Sequence, residues 1–227
     1  MCCRVFESGS PSFILLQPTA RHEIHLLASE AEKIADATDV PFALATFEVK
    51  DWTLELLPWP DSNISREEEA GRRAPATLDF TLNLLLPTLE KTYGPLPVII
   101  GGFSLGGLFS LWASTLTDRF RAVAAASPTL WIRDWLPYSE KHPTLAKNVY
   151  LSLGDREEHV KNHAIARVGD GVRKEYQLLQ ERLGPEHCTL VWEVGHHFTD
   201  NDGRLARAFA WCLLRLDAEE SGTGIGT

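Results

Sequence analysis

The sequence is short of sulfur and of positive charge. It has one methionine and four cysteines in 227 residues, and 22 lysines and arginines against 31 acidic residues, a formal net charge of -9. The acidic balance argues against nucleic acid and against an anionic membrane surface, since both select basic patches. It favours neutral or cationic small molecules. Cys2, Cys3, Cys188 and Cys212 show neither metal-ligand spacing nor a disulfide framework, so they read as reduced thiols of a cytoplasmic protein. No uninterrupted apolar run approaches the ~18 residues of a membrane span. The segment 1–12 carries Arg4 and Glu7 and lacks the apolar core of a signal peptide.

Other features are missing as well. There is no internal repeat, no Gly-x-Gly-x-x-Gly after a strand and no P-loop lysine, so no cofactor is expected. His159 and His163 stand four apart. They lack the glutamate of His-Glu-x-x-His and an evident third ligand, so no metal is expected.

What is present is an ordinary globular composition, 44% hydrophobic and 23% charged. The length suits a single α/β domain over 1–227, with about 1–10 and 218–227 as flexible ends. Short apolar runs alternate with longer amphipathic stretches, the pattern of a mostly parallel sheet with helices on both faces. Strands are expected at Phe13–Gln17, Pro41–Val49, Pro97–Ile100, Ala122–Ala126, Val149–Leu153 and Thr189–Val194. Helices are expected at His22–Thr38, Thr77–Tyr93, Leu108–Thr117, Val172–Leu183 and Arg204–Leu216, the last capped by Asp200 or Asp202. Thr129–Pro143 reads as irregular, and Ser62–Ala74 as an exposed loop.

The segment Gly101-Gly102-Phe103-Ser104-Leu105-Gly106-Gly107 stands between an apolar strand and a helix of small residues. A Gly-x-Ser-x-Gly sequence is common by chance. Placed between a strand and a helix, it is what a nucleophile elbow requires. The serine sits at the tip of a sharp turn, and flanking glycines let strand and helix approach. The amide of Leu105, at the helix start, is placed to donate to an oxyanion. A serine nucleophile needs a base, and the base needs an orienting carboxylate. Both belong on loops at the carboxyl ends of later strands. Gly195-His196-His197-Phe198 follows the last strand and supplies the base. Gly154-Asp155-Arg156-Glu157 follows the strand before it and supplies the acid.

This order of serine, acid and histidine resembles the α/β-hydrolase superfamily over almost the whole chain. The chain is closer to compact esterases of the enterochelin-esterase and esterase D group. In their pattern the last strand leads into Gly-x-His-Phe, which selects His197 over His196. Their acid often lies three residues past the strand-ending glycine, which is Glu157 here, with Asp155 as the alternative. The second oxyanion donor belongs after the first strand, where Pro18 has no amide hydrogen and Thr19 or Ala20 remain. The His-Gly-Gly of many lipases is absent.

The resemblance implies a serine esterase acting through an acyl-enzyme on a small-molecule ester, as a monomer or homodimer. An acyltransferase with the same triad, or a non-catalytic ligand-binding protein on this scaffold, are the alternatives. Trp52, Trp131 and Trp135 are candidates to line an apolar substrate pocket. The loops that carry them are short, so no large lid domain is expected.

Overall fold

The structure is a computed structural model of the chain, and it describes residues 3–222. Seven strands form one sheet: β1 (Cys3–Ser8), β2 (Phe13–Ala20), β3 (Phe42–Val49), β4 (Val98–Phe103), β5 (Phe120–Ala126), β6 (Asn148–Gly154) and β7 (Cys188–Glu193). The order across it is β1-β3-β2-β4-β5-β6-β7. β1 runs antiparallel to β3, and every other neighbouring pair is parallel. The central strands are buried on both faces, which is why Val98-Ile99-Ile100 and Ala122 to Ala126 are apolar without alternation.

The principal helices are α1 (Leu27–Ala37), α2 (Ala74–Phe80), α3 (Leu86–Tyr93), α4 (Leu105–Ser114), α5 (Trp135–Lys141), α6 (Val168–Leu183) and α7 (Asn201–Glu220). They divide between two cores. On one face α1 and α7 pack Ile34, Phe209 and Leu213 against Phe13, Leu44 and Ile99. On the other, the remaining helices pack Leu78, Leu86, Leu108, Phe109 and Val172 against Ile14, Ile100 and Val123. A π-helical turn, Thr81–Leu85, joins α2 to α3. No helix among the described residues is long and apolar enough to cross a membrane.

Several local expectations are corrected. Residues 3–8, read as part of a loose end, form β1; as an exposed edge strand it has no apolar alternation to announce it. β2 runs on through Pro18, Thr19 and Ala20, because Thr19 and Ala20 continue the register with Glu48 and Val49. The stretch 129–143 contains α5, held by the buried Trp135 and Ser139. α7 continues to Glu220, beyond the expected flexible boundary, while 1–2 and 223–227 lie outside the described residues. Asp200 takes the N-cap position of α7, but in the left-handed region and without a side-chain cap bond. Its carboxylate pairs with Arg207 instead.

Candidate active site

All the parallel strands deliver their carboxyl ends to one edge of the sheet. β4, β5, β6 and β7 are adjacent there, so the residues just beyond them converge. Ser104 follows β4, Ser127 follows β5, Glu157 follows β6 and His197 follows β7.

Ser104 adopts φ 56°, ψ −117°, a region that non-glycine residues rarely occupy. The turn into α4 is tight enough that a Cβ on Gly102 would lie 2.5 Å from the carbonyl carbon of Gly106. That close approach is why glycine is required at 102, while on the other side of the serine a Cβ on Gly106 would press on Pro18 Cγ at 3.2 Å. Leu105 is the first residue of α4, directly after Ser104, so its amide has no acceptor within the helix.

Ser104 Oγ lies 3.0 Å from His197 Nε2. His197 Nδ1 lies 2.6 Å from Glu157 Oε2. The other carboxylate oxygen, Oε1, accepts from Ser127 Oγ at 2.7 Å, the Gly154 amide at 2.7 Å and Arg204 Nη1 at 2.9 Å. Glu157 is 4% exposed. Burial alone would raise its pKa, but bonds from His197, Ser127 and the Gly154 amide, with the charge of His197, hold the carboxyl below its ordinary value. Phe103 and Phe198 pack on the His197 ring, each with its centroid 4.9 Å away.

The two ambiguities divide cleanly in space. His196 is exposed and its amide donates to Thr199 Oγ1, while its neighbour His197 reaches Ser104. Asp155 Oδ1 accepts the Gly195 amide at 2.8 Å, which braces the histidine loop without touching the imidazole.

A cleft of about 470 Å³ opens at Ser104. Ile64, Trp131, Val160, Ile165, Val168 and Phe198 supply its apolar walls. Of the three tryptophans, Trp131 lines it. Trp52 packs instead over Gly106 and lines a separate small hollow with Pro18 and Phe103. Trp135 is core: it is 1% exposed, stacks on Trp59 and donates to the buried Glu175. Neither Thr19 nor Ala20 lines the cleft, and the Ala20 amide is already bonded to Glu23 Oε2 at 3.1 Å. Extension of β2 carries both residues away from the loop position expected of them.

Three residues beside the site went unread in the sequence. Thr129 places its hydroxyl 3.2 Å from Ser104 Oγ. Ser127 and Arg204 both bond Glu157. Position just beyond β5 marks Ser127 and Thr129 as near the active edge. Arg204 carries no such signal, because an arginine in the first turns of a helix normally faces solvent. Among the described residues, no group of three or more His, Cys, Asp and Glu side chains is arranged to hold a metal ion.

Sheet order, elbow and strand-end placement together define an α/β-hydrolase. Comparison narrows the class: residues 30–212 match the family described as "Putative esterase", and the chain belongs to that esterase family. Comparison with curated protein sequences finds no match. Solved structures share the fold at low identity. The siderophore hydrolase EstA from Aspergillus nidulans is 17% identical with a TM-score of 0.64, covering 90% of this chain and 83% of that one. An IroE-like serine hydrolase from Shewanella oneidensis is 14% identical with a TM-score of 0.71, covering 90% and 71%. The enterobactin esterase FES from Shigella flexneri is 16% identical with a TM-score of 0.66, and 94% of this chain matches 55% of it.

Proposed function

We propose that the protein is a serine esterase that cleaves small carboxylic esters through an acyl-enzyme on Ser104. The observation that carries this reading is the unbroken chain from Ser104 Oγ through His197 to the buried Glu157, at 3.0 and 2.6 Å. Ser104 Oγ attacks the ester carbonyl as His197 Nε2 takes its proton. Glu157 holds the imidazole with Nδ1 protonated and stabilises the imidazolium that forms. The Leu105 amide donates to the oxyanion. The imidazolium returns the proton to the leaving alcohol, and the alcohol departs. Water, activated by the same histidine, then attacks the acyl carbonyl and frees the acid and Ser104.

The cleft supports a neutral substrate with an apolar substituent. Apart from Ser104, Ser127, Thr129, Glu157, His196 and His197, its lining is apolar, and no lysine or arginine is among the lining residues. A panel of nitrophenyl esters tests the reading. Turnover is expected with neutral acyl chains, rising by up to about fourfold in kcat/KM per methylene that the cleft buries, from ~0.8 kcal/mol each. Mass spectrometry should find the acyl group on Ser104. Absence of turnover across the panel, with no covalent adduct, overturns it.

A further inference from the structure

Arg204 is fully buried in the first turns of α7, and its guanidinium has a divided set of partners. Nη1 donates to Glu157 Oε1 at 2.9 Å and Ser127 Oγ at 3.1 Å. Nη2 donates to the carbonyls of His196 at 3.1 Å and Val194 at 3.4 Å. One side of the fork therefore holds the carboxylate after β6. The other holds the backbone on both sides of Gly195, in the loop that carries His197. The fit is close: a Cβ on Gly154 would lie 2.8 Å from Nη2 and 2.9 Å from Glu157 Oε1.

A buried arginine is costly unless its charge is paired and its donors are used. Here it faces the one buried carboxylate of the site. We propose that Arg204 is a positioning residue that sets both the geometry and the proton affinity of the Glu157–His197 pair. This rests on the esterase reading for its kinetic consequence, but not for its electrostatic one. A fixed positive charge 2.9 Å from Glu157 Oε1 opposes protonation of that carboxylate, so the group that holds the His197 ring keeps its charge to lower pH. The planar fork also keeps the acid and the histidine loop at one separation, which a single ammonium group cannot do.

Other charged groups surround the pair. Asp155 lies on the loop of Glu157, His196 adjoins His197, Asp200 stands at the N-cap of α7, and Arg207 shares that helix with Arg204. Asp155 is bonded to the Gly195 amide and Asp200 to Arg207, so Glu157 is the carboxylate paired with the guanidinium.

The test compares Arg204→Gln and Arg204→Lys with the parent, by kcat/KM against pH and by NMR titration of the His197 ring. Arg204→Gln should move the acid limb, and the ring's titration, upward by about one pH unit or more. Arg204→Lys keeps the charge, so both should stay near the parent position while kcat falls roughly tenfold through loss of the fork. KM should be unchanged in both, because Arg204 does not line the cleft. A purely structural role would lower activity equally at all pH values. The proposal is overturned if Arg204→Gln leaves the titration in place, or if Arg204→Lys shifts it to the same degree. Should Arg204→Gln fail to fold, Arg204→Lys decides: a parent-like titration with reduced kcat supports the proposal, and a displaced titration or unchanged kcat overturns it. If the parent hydrolyses no ester, the esterase reading fails, while the NMR displacement still judges Arg204.

Discussion

Glu157 Oε2 lies 2.6 Å from His197 Nδ1 across 40 positions of sequence, while Glu157 Oε1 gathers Ser127, the Gly154 amide and Arg204. The carboxylate is thus fixed on one side and presents a single oxygen to the imidazole on the other. Two adjacent loops share this arrangement, so contacts within the protein alone orient the His197 ring toward Ser104.

Glu157→Gln should lower kcat/KM by about 10²- to 10⁴-fold with KM little changed, since the loss falls on imidazole tautomer and charge. Asp155→Ala should retain activity within about tenfold and cost about 1 kcal/mol of stability, through the lost Gly195 bond. Steady-state kinetics and urea unfolding distinguish the two. Because the Glu157 carboxyl is held below its ordinary value of 4.5, the stability it adds is complete above about pH 4.5. It is lost as pH falls through the lower folded-state value.

Glu30 behaves in the opposite sense. It is buried beside Gln17, whose Nε2 donates to Oε2 at 3.1 Å, and burial pushes its pKa up to about 8. The folded chain therefore holds a proton that the unfolded chain releases above 4.5, and stability falls as pH rises from about 4.5 to 8. Glu30→Gln keeps the Gln17 bond and removes the ionisation. Its melting temperature should exceed the parent's at pH 8, by an amount worth about a few kcal/mol, and the gap should narrow toward pH 5. A gap that does not vary with pH would contradict this.

Trp131 and Trp135 are four positions apart and should fail differently. Trp135→Ala opens a hole in the core and should cost about 3–5 kcal/mol in denaturant unfolding. Trp131→Ala removes part of the cleft wall, and should raise KM for long-chain neutral esters several-fold while costing less stability.

The contrast between these tryptophans shows where sequence reading stops. Six of the seven strands, the two helical layers and the elbow were legible because apolar run length and glycine spacing are local signals. Placement of Glu157 and His197 after β6 and β7 was legible because chain order maps onto strand ends in a parallel sheet. Burial of Trp135 depends on Glu175, forty positions away, and no local pattern carries that pairing. The same holds for Arg204, whose inward direction follows from partners on three other segments. Thr19 and Ala20 were misplaced because β2 continues past Pro18, a residue that usually marks a strand's limit.

The most direct measurement is covalent labelling of Ser104. Parent protein treated with a fluorophosphonate should gain one adduct, mapped by peptide mass spectrometry to Ser104, with loss of nitrophenyl-ester hydrolysis in proportion. Ser104→Ala should neither label nor turn over substrate, while unfolding like the parent. Labelling at another residue, or hydrolysis surviving in Ser104→Ala, would contradict the assignment of Ser104 as nucleophile.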